Sequence, residues 1–276
     1  MRVAGVILAV LLVAACPPRR GRVVYVQPYV VPAVPVVVGT SDPPPVAIAP
    51  APHEKVAETA LDRHLSAWEE KTAGITNLRV EITLKRTDAV FKKDANFSGV
   101  VLCMKPNFFV ARLDNADYPT ETDYEAYICD GKAVYAYNGI QKTITQIDLP
   151  KNQPSVDNLI LDFLTGMKAK DAKERFDITL FKTDEHYLYL DIKPRLSKDR
   201  REFEQLRVAL YGPGSDTEKF VYLPAQVYIL KPNGDSESWK FTNPQVNLPD
   251  VDAKAFQFVE IKDKGWKFQK APVPRP

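Results

Sequence analysis

The side chains able to do chemistry are few and scattered along the 276 residues. His53 and His64 fall in one helical stretch with no partner at metal-ligand spacing. His186 follows Asp184 and Glu185 in a hairpin turn, so all three histidines read as structural or surface residues. Cys16, Cys103 and Cys129 are too few and too dispersed for a disulfide framework or a zinc site. Cys103 and Cys129 each close a strand. In a simple meander a further strand lies between them, about twice the ~4.8 Å interstrand spacing, so they read as buried thiols. The carboxylates Glu69-Glu70 and Glu202/Glu204 lack the opposed placement across a cleft that acid–base work needs. Gly212-Pro213-Gly214-Ser215 departs from the phosphate-loop pattern, sits between strands, and loses an N–H donor at its proline, so it reads as a turn. No HExxH, GxSxG or CxxC occurs. No catalytic residue, metal or cofactor is therefore assigned, and a non-enzyme is expected.

The position that does suggest chemistry is Cys16. Met1-Arg2 gives a positive start, Val3 to Ala15 is an apolar run of signal-peptide length, and Ala14-Ala15 supplies small residues for cleavage. The run is shorter than the roughly 20 apolar residues of a membrane-spanning helix. Val13-Ala14-Ala15-Cys16 resembles the bacterial lipobox, which implies an acylated Cys16 as the new N-terminus; the alternative is an ordinary secretory signal cut after Ala15. Two or three acyl chains on one cysteine anchor stably, where one does not. The expected divisions are a lipoprotein signal over 1–15, an anchor and Pro/Val-rich tether over 16–52, and a folded domain over 53–276. Ten prolines between Pro17 and Pro52 keep that tether extended. With 37 basic and 35 acidic residues, the net charge of +2 gives no electrostatic case for a nucleic-acid partner.

The elements that must carry any site are mostly strands. Val56, Ala60, Leu61, His64, Leu65 and Trp68 recur at helical spacing, predicting a helix over His53 to Ala73 stopped by Gly74. Alternating segments follow at Leu78–Arg86, Phe97–Met104, Phe108–Leu113, Tyr124–Cys129, Ala133–Tyr137 and Thr143–Ile147. A second helix is predicted over Asn158–Lys170 behind Ser155-Val156-Asp157. Strands resume at Phe176–Thr183, His186–Lys193, Glu204–Tyr211, Ala225–Leu230, Glu237–Thr242 and Ala255–Val259. The expected fold class is mostly β: a large curved antiparallel sheet forming an incomplete barrel, with helices against its concave face.

Three blocks carry a family resemblance. Gly99 to Phe109 holds Lys105-Pro106 before an aromatic strand, Ile128 to Tyr137 holds Asp130-Gly131-Lys132, and Val251 to Phe258 reads VDAKAFQF. In order and spacing these resemble the LolA/LolB-like carriers and receptors of outer-membrane lipoproteins. The resemblance implies an unclosed barrel whose apolar concavity, lidded by helices, holds acyl chains. It therefore implies lipid or lipoprotein acyl chains as ligands, a possible protein partner, and a periplasm-facing place in the cell envelope, at the outer membrane. Lys105 replaces the family's arginine, keeping the charge for a head-group contact but not the planar fork. The lipobox is a feature of the receptor branch and is absent from the soluble carriers.

The residues give that reading a surface. Arg112 is expected to face solvent, putting Phe109, Ala111 and Leu113 on the opposite side of their strand. Tyr124, Ala126 and Ile128, then Tyr135 and Tyr137, are expected to continue the same apolar face as an acyl-chain groove. Trp68, Leu159, Phe163 and Met167 are the expected lid positions. Burying an acyl chain supplies about 0.8 kcal/mol per methylene, so such a groove needs no reactive group. The competing readings are a face simply filled by core, and an envelope sensor that uses the same fold to bind a protein.

Overall fold

The computed structural model describes residues 53–149, 164, 166–214 and 218–271. The signal, Cys16, the tether, Leu159 and Phe163 lie outside the described residues. Helix α1 is His53–Ala73, as its apolar spacing predicts. Strands β1 (Asn77–Asp88), β2 (Lys93–Met104), β3 (Phe108–Asn115), β4 (Tyr124–Asp130), β5 (Ala133–Asn138) and β6 (Thr143–Asp148) form one meander. After helix α2 (Ala169–Arg175) a second meander follows: β7 (Phe176–Thr183), β8 (Tyr187–Pro194), β9 (Gln205–Tyr211), β10 (Pro224–Leu230) and β11 (Ser236–Val246). The chain closes with β12 (Lys267–Lys270).

All twelve strands belong to one open sheet, ordered β12-β6-β5-β4-β3-β2-β1-β11-β10-β9-β8-β7. The two meanders join where β1 pairs antiparallel with β11, Leu78 opposite Val246 and Thr87 opposite Ser236. The β1–β2, β3–β4, β5–β6, β8–β9 and β10–β11 turns then lie at one end of the sheet, called the upper end below. The end of α1 and the β2–β3 and β4–β5 turns lie at the lower end.

One face of this sheet is apolar from β7 across to β6. In β1 its members are Leu78, Val80, Ile82 and Leu84, all buried, alternating with the outward Arg79, Glu81, Thr83 and Lys85. The register carries the pattern outward from Val80 through Val101, Ala111 and Tyr127 on one side and from Leu84 through Trp239, Val227, Val208 and Leu190 on the other. Leu61, Leu65 and Trp68 of α1 pack on this face in the same core. Each fully buried leucine there contributes about 2 kcal/mol through removal from water.

The sheet curls toward that face. Ile82, Gly99, Leu113 and Glu125 stand in one row across β1 to β4, so Glu125 is three strands over and four residues down from Arg86. On a flat sheet their Cα atoms would be about 20 Å apart, yet the two side chains meet at 2.8 Å. Gly99 permits the curl: a Cβ there would lie 1.7 Å from the carbonyl oxygen of Arg112.

Three expectations on the elements need correction. Ala255–Val259 is not a strand; Ala253–Phe256 is a single 3-10 turn, opened by the Asp252 side chain accepting from the Lys254 amide. The predicted helix over Asn158–Lys170 is interrupted, because Gly166–Lys168 is non-helical and Gly166 has φ +87°, and helix resumes at Ala169. Gly166 is required there by contact as well, since a Cβ would meet the Thr72 side chain at 1.9 Å. Strand β12 was not expected. It pairs parallel with β6, Lys267 opposite Thr143, and its four residues are all exposed, so it has no alternation to read.

Candidate functional site

The acyl-groove residues of the sequence reading divide between the two faces. Phe109, Ala111 and Leu113 are buried on the inner face at 2, 8 and 1 % exposure, in the same core as Leu61, Leu65 and Trp68 of α1. Register places Cys129, Tyr127 and Glu125 beside them on β4. Ala126 and Ile128 instead stand opposite Arg112 and Val110, and Tyr137 and Tyr135 opposite Ala126 and Ile128. Tyr124, Ala126, Ile128, Tyr135 and Tyr137 therefore occupy the outer face, and the expectation of one continuous face is corrected. The period of two fixes the sides within a strand, but the β3–β4 connection decides how two strands phase.

That outer face is covered by the chain's own tail. Ile128, Tyr137 and Ile144 form a second core with Phe258, Ile261 and Trp266 packed against it. The Phe258 ring lies 4.5 Å from Tyr135 and 6.4 Å from Tyr137, and Trp266 lies 6.5 Å from Tyr124. Burial raises the Tyr137 hydroxyl to about 12. Arg112 is exposed, as expected, and stacks 4.1 Å over Tyr124.

Of the lid positions, Trp68 is buried at 1 % and Met167 is half-buried against the inner core. Lys105 Nζ donates to the carbonyl oxygen of Thr72 at 2.6 Å. The same carbonyl, in the last turn of α1, also accepts from the Ile75 amide at 3.1 Å, so Lys105 adds a second bond at the helix end. Burial lowers this amine from its ordinary range.

The inner face also holds a charged cluster that the sequence reading passed over. Arg86 donates to both carboxylate oxygens of Glu125, at 2.8 and 3.0 Å, and lies 3.5 Å from Glu237. Glu237 also accepts from Lys231 Nζ at 2.8 Å and from Trp239 Nε1 at 3.0 Å. The Tyr127 hydroxyl donates to Glu125 at 3.0 Å. Burial opposes the charge on Arg86, but the bonds and fields of Glu125 and Glu237 outweigh it and raise its pKa. Burial, then the charge of Glu125, holds the Tyr127 phenol well above its ordinary value. Strand parity was the available signal: Arg86 continues the inward series Leu78, Val80, Ile82, Leu84, and Glu237 the series of Trp239 and Phe241.

Cys103 and Cys129 are buried, free, and separated by Phe109, which pairs with both. Cys129 Sγ donates to the Asn107 carbonyl at 2.9 Å, and burial raises both thiols to about 12. Among the described residues no group of three His, Cys, Asp or Glu is placed to hold a metal ion. No described helix is long and apolar enough to cross a membrane.

No family model and no curated protein matches the chain. Solved structures do. An uncharacterized conserved protein from Thermus thermophilus matches at 9 % identity and TM-score 0.43, over 76 % of this chain and 98 % of that one. A LolA superfamily protein from Nitrosomonas europaea matches at 10 % identity and TM-score 0.37, over 70 % and 97 %. A putative outer membrane lipoprotein-sorting protein domain from Vibrio parahaemolyticus matches at 10 % and 0.38, over 71 % and 95 %.

Proposed function

We propose that the chain is an envelope protein, anchored through an acylated Cys16, that binds the acyl chains of lipids or lipoproteins without catalysing a reaction. The observation that carries this reading is the apolar inner face of one open, curled sheet, continuous over eleven strands under helix α1. A surface of that size and shape suits an elongated apolar ligand and needs no reactive group. The three sequence blocks with their LolA/LolB-like order, and the lipobox-like Val13 to Cys16, support it. In this reading Phe109, Ala111 and Leu113 line the path of the ligand, and Trp68 and Met167, with Leu159 and Phe163, belong to its lid.

A second reading, an envelope protein that senses or holds a protein partner, is favoured by two observations. Leu65, Trp68, Leu78 and Phe109 already fill the described inner face, each at 2 % exposure or less. Large apolar side chains stand out instead at the upper turns: Val90 at 78 %, Phe91 at 70 %, Tyr118 at 75 % and Ile140 at 68 %.

Native mass spectrometry of the chain carrying Cys16→Ser, purified from cells without detergent, tests both. A stoichiometric acyl-bearing species supports the first reading and gives the ligand class. A clean apo mass, with no uptake of added fatty acid or lipopeptide, overturns it in favour of the second. Cys16→Ser itself is expected to move the protein from the membrane fraction to the soluble one, and persistent membrane fractionation would sink the anchor.

A further inference from the structure

The upper end of the inner face is closed by charge where the rest is closed by apolar packing. Arg86 stands at the centre of the closure, with side-chain exposure of 13 %, against 9 % for Glu125 and 1 % for Glu237. Its guanidinium also lies 4.8 Å over the Phe97 ring. Glu125 belongs to the meander arm that ends at β6, whereas Glu237 and Lys231 belong to β11 and the β10–β11 turn. The cluster therefore ties one arm of the sheet to its middle across the concavity. The groups facing Arg86 are Glu125 and Tyr127 from β4 and Glu237 from β11, with Phe97 from β2.

Two carboxylates and two cations make the cluster neutral, and apolar side chains of the same volume would close the space at least as stably. What distinguishes a charged closure is how it fails. Loss of one bond leaves the other charges buried without compensation, and water must enter to solvate them. An apolar plug has no such release.

We propose that the Arg86 cluster is a releasable latch: intact, it closes the upper end of the inner face; released, it lets the β3–β6 arm swing from β11 and opens that face to an elongated apolar ligand. The ligand half of this inference rests on the lipid-binding reading; the opening does not. Leu84 and Trp239, immediately below the cluster, are the apolar side chains that opening would uncover.

The test uses the full chain with Cys16→Ser and compares it with Arg86→Gln and with a quadruple variant, Arg86→Met, Glu125→Met, Lys231→Met and Glu237→Met, which leaves none of the four charges behind. Amide hydrogen exchange is followed by mass spectrometry, and uptake of a dansyl-labelled undecanoic acid by fluorescence. In Arg86→Gln, exchange over residues 125–128 and 237–239 is expected to rise about tenfold while residues 188–192 and 206–210 keep their rates. Probe uptake quickens by a similar factor. The quadruple variant takes up probe more slowly than the parent, because its closure has no charge left to release. Exchange that rises by one common factor in every strand, or not at all, overturns the latch. Should Arg86→Gln fail to fold, Glu125→Gln, which removes one charge and keeps the shape, is read in the same way. Local opening with no probe bound by any variant upholds the latch and overturns the lipid-binding reading.

Discussion

The hydroxyl of Tyr137 donates to the carbonyl oxygen of Val259 at 2.8 Å and accepts from the amide of the same residue at 3.2 Å. One phenol on β5 thus clamps both backbone groups of a residue in a tail segment that has no strand partner. Tyr137→Phe is expected to cost about 1 kcal/mol, since Val259 is 59 % exposed and water can replace the lost partners. A urea titration checks the size. Limited proteolysis checks the place, with faster cleavage between 257 and 266.

The two thiols should be inert in the native state. Their pKa values rise from 9.0 to about 12 through burial, so almost no thiolate exists at pH 8. Iodoacetamide at that pH should leave Cys103 and Cys129 unmodified until denaturant is added, as read by intact mass. No bond between them should form under mild oxidation, because β3 holds their Cα atoms roughly 9–10 Å apart.

The same groups set a limit at high pH. Cys103, Cys129 and Tyr137 all have folded values near 12, above the ordinary 9.0 of a thiol and 10.0 of a phenol. Between those values the unfolded chain has lost protons that the folded chain keeps, so stability falls as pH rises. The urea midpoint is expected to hold from pH 7 to pH 8 and to decline from about pH 9 through pH 12. Tyr137→Phe should shallow the decline above about pH 10. A midpoint independent of pH across that window would contradict the burial of these groups.

Gly99→Ala should be among the costliest methyl additions in the sheet. Its Cβ would meet the Arg112 carbonyl oxygen at 1.7 Å, and backbone must move to admit it. A loss of about 3 kcal/mol is expected. Gly74→Ala serves as the contrast, because its Cβ finds only the Lys71 carbonyl oxygen, at 3.9 Å, and should change stability by less than about 1 kcal/mol. Equal midpoints for the two variants would argue against the tight curl.

At the junction before β7, Arg175 holds Asp199 through two bonds of 2.8 and 2.9 Å, with the carboxylate only 6 % exposed. Arg175→Met strands that carboxylate and should cost about 3 kcal/mol. Pairing it with Asp199→Leu should recover a good part of the loss, which a double-mutant cycle in urea would read.

Much of the fold was legible because the strands other than β12 had one dry side. Tyr187–Pro194 alternates cleanly, and short turns such as Asp130-Gly131 left adjacent antiparallel pairing as the simplest outcome. The phase between strands was not legible: within Phe108–Leu113 the inward set was correct, but the jump to Tyr124–Ile128 put outer residues on the inner face. The tail misled for a different reason. Phe256 and Phe258 alternate like a strand, yet they act as separate anchors, Phe256 against Phe108 and Phe258 against Tyr135. The charged cluster was invisible to any search by motif, because its members come from three parts of the chain: Arg86 and Glu237 meet by strand pairing, and Glu125 reaches them only after the sheet curls.

The pairing of β1 with β11 has a bearing on how the chain reaches this form. Leu78 finds Val246 only after both meanders exist. A chain that emerges N-terminus first displays β1 as a bare, apolar edge for most of its synthesis. During that interval the edge is a template for any second copy. Dilution, a holding chaperone, or early collapse of α1 onto β1 would guard it, and refolding yield should fall with protein concentration for that reason alone.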